Sequence, residues 1–470
     1  MLLTPEQIDL LPTEELRPLL KALLAEFESL RQRVAHLEAE NERLKQQLTG
    51  STNSRNSSQP PSRDQKPDQP PNKPKKKHGP RFGHQKFSRP LVDKPDRVVQ
   101  VPVTECEHCH EDLSQVEPED FTRRQITELP EVRPLVIETR QHQKTCPHCL
   151  KLNRGVLPEG LEAERFFGPN LEATVVFYKQ TQHLSIERIV ETMRNLHGVN
   201  LSEGAIVSIL KRAGEKAAPA AEAIKEQVIR GEVIHSDETS ARVEARNWWQ
   251  WVFISQNGVY HTIAPTRSFA EIETVLGKQL AVKAWVSDCY GAQLKAPAEV
   301  FQLCLAHQLR DLQKIVEATP QQCWAQAAQK LFRDAIHLRN RFVSGEMQLN
   351  GFLRRVTQTE NELDRLLEET IENEAARKLQ ARFILHREKL LTFLHYPQVP
   401  PTNNESEQAL RSSVIHRKVT NGFRSEWGAR AYAALQTILA TAKRKGKELF
   451  QTLVELMGPP VLPFIESSRL

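Results

Sequence analysis

The sequence predicts a multidomain α+β protein, a string of small units leading into one α/β core that carries a helical insertion. Three observations predict it. A heptad run of apolar residues occupies the first 50 positions. Two CxxC pairs, Cys106-Glu-His-Cys109 and Cys146-Pro-His-Cys149, follow a polar linker. Beyond residue 229, short β-like runs give way to helical patterning, and two of those runs lead into an aspartate. A chain of 470 residues has room for several such units and at least one sizeable core. The net charge of +5 is modest, so the placement of charge matters more than its sum.

Residues 1–50 read as a coiled-coil helix. Leu23, Phe27, Leu30, Val34, Leu37, Asn41, Leu44 and Leu48 alternate steps of four and three, with Glu and Arg on the other faces. Asn41 takes an a-type position, where a buried amide fixes register and strand number, and a parallel homodimer is the favoured assembly. One long helix packed on its own chain is the alternative. Residues 51–97 are Ser/Asn/Pro-rich and nearly free of large apolar side chains, so they cannot offset their ordering entropy. Every charge from Lys73 to Arg89 is basic, and Lys75, Lys76, Lys77 and Arg81 suit a phosphate backbone. A solvated linker is an equal reading of that stretch.

Residues 98–165 carry the strongest local motif. Two thiolates from each CxxC pair complete a tetrahedral Zn²⁺ site through Cys106, Cys109, Cys146 and Cys149, with no open position, so the site is structural and the domain ribbon-like. A strand-like run at Leu135 to Thr139 lies between the pairs, whose separation exceeds the common ribbon spacing. Cys289, Cys304 and Cys323 are scattered, which argues against a disulfide framework. Residues 166–228 are helical. Asn170 caps one helix, Ser185 starts a second, and after the turn HGVN a third begins near Ser202. Two helices about a glycine-containing turn resemble a helix-turn-helix, and a plain packing unit fits equally.

The core begins at 229–306. Strands are expected at Val233–His235, Trp248–Ile254 and Gly258–Ala264, a helix from about Ser268 to Gly277, then strands Lys283–Val286 and Glu299–Leu303. Three strands, then helix and strand, is the order of an RNase H-like sheet, which puts Asp237 and Asp288 at the ends of adjacent strands. Residues 307–396 form a helical insertion, and 397–445 return to the core with TNNESEQALR, ahead of a tail at 446–470. Within that stretch Asn404, Glu407 and Arg411 fall on one helical face, and Glu405 points elsewhere. Acids are common at a helix N-terminus in any protein. Joined to Asp237 and Asp288, however, Glu407 completes the oxygen set a hard divalent cation requires: Mg²⁺, or Mn²⁺. Two such ions activate an attacking oxygen and stabilise a leaving one at a phosphodiester. Asn404 is then a neighbouring polar contact and Arg411 a phosphate contact or carboxylate orienter. Arg417, Lys418, Arg424 and Arg430 in the tail suit a phosphate backbone, and a solvated helix face explains them as well.

The ensemble resembles the insertion sequence 66 family of DDE transposases. The resemblance rests on the coiled coil, NSSQPPS, the paired CxxC knuckles, FGPNLEA, HSDET, WVSDCYGA, CLAHQLRDL, TNNESEQALR and NGFRSEWGARAYAALQTILATAKRKG, in that order. It implies an RNase H-like fold, Mg²⁺ on Asp237, Asp288 and Glu407, and the element's own terminal DNA as substrate. Water would cut at the element end, and the freed 3′-OH would attack target DNA with no covalent enzyme intermediate. It further implies accessory proteins of the same element and a cytoplasmic, nucleoid-associated location in a prokaryote. Gln408 departs from the arginine that commonly follows the third acid. The Cys304-Leu-Ala-His307 pair resembles a CxxH of other insertion-bearing DDE enzymes, with a role in organising DNA or the insertion. Rival functions are a nuclease that cuts without joining, a non-catalytic zinc-containing DNA-binding protein, and a zinc-organised scaffold for proteins. No apolar run of about 18 residues suggests a membrane span, and the N-terminus lacks the basic region of a signal peptide.

Overall fold

The computed structural model describes residues 13–48, 89–157, 166–277 and 282–458. Helix α1 (Thr13–Leu48) is a single rod of 36 residues. Its apolar stripe is uncovered, with Phe27 61%, Leu30 54%, Val34 52% and Leu37 61% exposed, so the chain's own core does not take it up. Position 49 onwards, and with it Lys75, Lys76, Lys77 and Arg81, lies outside the described residues up to residue 88.

Residues 89–157 are held by local hydrogen bonds rather than a core. In the second knuckle, β1 (Gln143–Thr145) pairs antiparallel with β2 (Leu152–Arg154) around Cys146–Leu150. The strand expected at Leu135–Thr139 does not form: Leu135 and Val136 are exposed, and no neighbouring strand is there to receive their backbone groups. A β-branched, apolar run without a partner does not make a strand.

From residue 166 the chain becomes one packed body. Helix α2 (Pro169–Gln180) has Gly168 as its N-cap and proline in its first turn, two residues ahead of the expected cap at Asn170. Ser185 caps α3 (Ile186–His197) and Ser202 caps α4 (Glu203–Ile229), each hydroxyl accepting a backbone N–H of the first turn. The third helix does not stop before the Ala-rich stretch but runs 27 residues through Pro219. Its apolar side (Ile206, Ile209, Ala213, Ala217) is fully buried, in a core shared with Leu435, Ile438 and Leu453 from the far end of the sequence. This buried face is that of a packing helix.

The sheet follows: β3 (Val233–Val243), β4 (Arg246–Ser255), β5 (Gly258–Ala264), helix α5 (Phe269–Leu276), β6 (Val282–Ser287) and β7 (Ala298–Leu303). Its order is β5-β4-β3-β6-β7, antiparallel on the β4–β5 side and parallel across β3–β6–β7. Asp237 does not end its strand. β3 continues eight residues past His235 because β4 pairs with it as far as Val243, closing a hairpin at Glu244 and Ala245, both at positive φ. That turn is of the kind that Asn-Gly usually supplies, so its sequence gives no warning. Only the parallel pairing to β6 stops at His235. The alternating apolar side chains of the strands (Trp251, Phe253, Trp285, Ile234) fill one face under α4 and α5.

Helices α6 (Leu305–Ala318), α7 (Cys323–Val343), α8 (Leu349–Glu368), α9 (Glu374–Leu385) and α10 (Thr392–His395) form the insertion. They have their own core, centred on Phe332, Phe352, Phe383 and Trp324. Helix α11 (Asn404–Thr420) then returns to the sheet, α12 (Glu426–Arg444) lies along α4 and β5, and α13 (Leu449–Met457) packs on α2. The expected tail at 446–470 is therefore in part a docked helix, with Leu453 and Met457 fully buried. Two glycines set these contacts. A Cβ on Gly214 would sit 2.3 Å from that of Ala431, and one on Gly422, at φ +116°, would meet the Arg242 carbonyl at 2.5 Å.

A candidate metal-dependent carboxylate site

The register of β3 and β6 brings the first two acids together. His235 is opposite Val286, and each acid stands two residues further along its own chain: Asp237 within β3, Asp288 just beyond β6. Both are half-buried. The Asp237 carboxylate accepts the Glu238 backbone N–H at 2.8 Å, and that of Asp288 accepts the Tyr290 N–H at 3.0 Å.

The third acid arrives from α11, and the residue that fixes it is Asn403. Its side chain is 1% exposed and donates to the Ser236 carbonyl at 2.8 Å, one residue from Asp237. Its backbone N–H reaches Cys304 Sγ at 3.1 Å, and its side-chain oxygen accepts from Ser406 at 2.9 Å. Asn404, the amide expected here, is exposed. In the first turn of α11, Glu407 faces the insertion, where Arg310 meets it at 3.2 Å and His307 at 3.5 Å. Glu405 points away and pairs with Arg444 at 2.8 Å.

The three acids do not gather within 4.8 Å of one another, but Asp237 feels the charge of the other two. The Asp237 carboxyl is pushed up to about 8, first by burial, then by the charges of Glu238, Asp288 and Glu407. Glu238 follows Asp237 in HSDET. Its side chain is fully buried and its carboxyl is raised, mainly by burial. Gln293 donates to it at 2.6 Å and Arg267 at 2.8 Å. Arg267 lies over the Tyr290 ring at 3.8 Å and beside Trp249 at 4.8 Å, so its charge is held in place from both sides. Nothing in local sequence marked Arg267 or Gln293. Arg310, three residues after His307 on one helix face, was legible within CLAHQLRDL.

The other expected contacts are spread out. Arg411, Lys418 and Arg424 are exposed. Arg417 instead donates to the Ser240 carbonyl and hydroxyl, latching α11 to β3. In the knuckles, the backbone closes two matching turns: Cys106 N–H to Glu111 and His110 N–H to Cys106, Cys146 N–H to Lys151 and Leu150 N–H to Cys146. His110 and Leu150 take positive φ at equivalent positions. Backbone N–H groups of His108 and Cys109, and of His148 and Cys149, face Cys106 and Cys146 and hold those thiols below the usual range. The two pairs are not drawn into one coordination sphere. Among the described residues, one group of three ligand-type side chains gathers within 4.8 Å, and it is Cys304, His307 and Glu407.

The fold is of the mixed α/β class, with two burial-raised carboxyls, Asp237 and Glu238, on the strand where parallel and antiparallel pairing meet. Comparison makes the class specific. Residues 164–431, more than half of the chain, match the family described as Transposase IS66 family, and the chain belongs to that family. It is a transposase by that membership, and DNA is the partner the family implies. Residues 3–90 match a second family, of unknown function. An uncharacterized protein, y4hP, of Sinorhizobium fredii (strain NBRC 101917 / NGR234) is 26% identical over 385 residues, 74% of this chain and 69% of that protein. No helix among the described residues is long and apolar enough to cross a membrane.

Proposed function

We propose that this transposase cuts its element's terminal DNA and joins the freed 3′-OH to target DNA, with Asp237, Asp288 and Glu407 holding divalent metal. The observation that carries the reading is the β3–β6 register, which sets Asp237 and Asp288 side by side at the N-terminal turn of α11; their mutual repulsion, with a smaller part from Glu407, adds to burial in raising the Asp237 carboxyl. A cation relieves that repulsion, and the donors are hard oxygens, which fit Mg²⁺ or Mn²⁺. Bound there, the metal supplies charge stabilisation at a phosphodiester and a more acidic water. The sheet order, with the first acid on its central strand, supports an RNase H-like core.

The chain's own groups do the rest. Asp237 keeps a proton below pH about 8 and releases it as metal enters. Arg310 donates to both Glu407 oxygens, and Asn403 fixes the helix that carries Glu407. The exposed stripe of α1 pairs with a second copy in a coiled coil, the cysteine knuckles, apart in this structure, would close on one structural Zn²⁺, and the basic arm of residues 51–97 holds DNA. Residues 166–228 serve as a helical support of the core, the insertion spans 307–396, and the core resumes at 397–445.

A labelled duplex bearing the element end, incubated with Mg²⁺ or Mn²⁺, tests this. Glu407→Gln is expected to lower cleavage about 1,000-fold, the loss of several kcal/mol of metal-centred stabilisation, with DNA retention unchanged. Equal cleavage by wild type and Glu407→Gln would remove Glu407 from the site. Nicks without joined products would reduce the enzyme to a nuclease.

A further inference from the structure

Beside the three-acid site stands a second set of ligands of different chemistry. Cys304 precedes the first residue of α6 and His307 sits one turn on, so both face the first turn of α11, where Glu407 waits. Their ligand atoms lie within 4.8 Å of one another. His307 Nε2 is 3.5 Å from Glu407 Oε1. That is too long for a sound hydrogen bond. It is close to the roughly 3.3 Å that separates nitrogen and oxygen when each lies ~2.0 Å from one tetrahedral Zn²⁺.

The surroundings suit a bound thiolate. Cys304 is fully buried and takes no part in the proposed cleavage. Its sulfur accepts the Asn403 N–H at 3.1 Å, and the Ala306 and His307 N–H groups of the helix N-terminus also favour its anion. Burial, and to a lesser degree the Glu407 charge, push the thiol up against those donors. His307 Nδ1 is buried with no hydrogen-bond partner. Arg310 donates to Glu407 Oε2 at 3.2 Å and only at 3.4 Å or more to Oε1, the oxygen that faces His307 and would take the ion.

We propose that Cys304, His307 and Glu407 form a binding site for Zn²⁺ or a similar borderline-soft cation, and that filling it withdraws Glu407 from the Asp237–Asp288 pair. The withdrawal rests on Glu407 being the third acid; the binding does not. Thiolate and imidazole select zinc over magnesium, so the same carboxylate serves two metals that the neighbouring ligands tell apart. Zinc would then hold the transposase inactive until it is removed.

The test begins with binding. Chelator-stripped, reduced full-length protein is titrated with Co²⁺, following thiolate-to-cobalt charge-transfer absorption and bound metal per chain. The proteins are wild type, Cys304→Ser, His307→Asn and the knuckle variant Cys106→Ser, each first checked for an unchanged thermal transition. Cys304→Ser and His307→Asn should each lose one bound equivalent that Cys106→Ser retains. His307→Asn carries this test if Cys304→Ser fails to fold. Full stoichiometry in folded Cys304→Ser and His307→Asn overturns the site. The second arm adds Zn²⁺ to Mg²⁺-dependent cleavage. Half-inhibition should need at least about tenfold more zinc in Cys304→Ser than in wild type, in line with the loss of a ligand's hold on its metal. Binding without that shift overturns the withdrawal. Absence of all cleavage would count against the proposed function and leave the cobalt result standing.

Discussion

The cysteine knuckles and the carboxylate site, the two metal sites proposed above, place their residues in opposite ways. In residues 89–157 the ligands are neighbours in sequence, the turns that aim them are closed by backbone hydrogen bonds, and most side chains are exposed. In the carboxylate site the ligands come from three separate elements, and each is aimed by something buried: a strand register, the Asn403 anchor, the Gln293–Glu238–Arg267 network. The first region has little core to hold it without metal. The second is held by a packed body and has only its charge to settle. Local geometry thus makes a motif, whereas distant geometry requires a fold to be complete first.

The largest effect that would break this comparison comes from chelation. Structural zinc contributes on the order of 10–16 kcal/mol in small zinc domains, so stripping it should make residues 89–157 a protease target while 166–458 stays resistant. Limited proteolysis with a chelator reads this directly, and equal protection with and without metal would show that the knuckles are held by something else. Next in size is the core. Trp285→Ala, at a fully buried position under the sheet, should cost about 3–5 kcal/mol in denaturant unfolding. Ile137→Ala, between the knuckles and 41% exposed, should change stability by no more than about 0.5 kcal/mol.

Asn403 and Asn404 sharpen the contrast within two adjacent residues. Asn403→Ala leaves the Ser236 carbonyl and Ser406 hydroxyl without their buried partner and should cost about 1–3 kcal/mol. Asn404→Ala, on an exposed position, should fall within about 0.5 kcal/mol. Similar losses from both would mean that the anchor is not the buried amide.

A change of pH acts on the carboxylate side of the comparison. Asp237 is an acid whose folded value, about 8, lies above its unfolded one. Its protonated form is therefore favoured by folding. That contribution is complete below pH about 4 and is lost as pH rises from there to about 8. Metal and proton compete for the same oxygen, so Mg²⁺ affinity should rise about tenfold per pH unit below 8 and level off above it. Calorimetric titration at several pH values measures the slope. A flat profile between pH 6 and 8 would show that Asp237 is already ionised in the metal-free protein.

Much of this was legible along the chain. The strand at Gly258–Ala264 and the helix bounded by Ser268 and Gly277 stand where alternation and capping put them, because both are read from neighbours a few residues apart. Family membership, too, follows from motif order along the chain. The sequence alone also determined the two CxxC turns and the heptad stripe, whose spacing is their geometry. Only the tertiary structure decided that β3 runs on past Asp237, since β4 rather than β3 itself supplies the partner. It decided that the third helix of the helical unit is a buried support, since part of its cover, Leu435, Ile438 and Leu453, lies more than 200 positions away. It also decided that Asn403, Arg310 and Arg267 surround the acids, and that Cys304 and His307 share Glu407. These are distances between residues far apart in sequence. A chain read one window at a time holds no record of them until its core has closed.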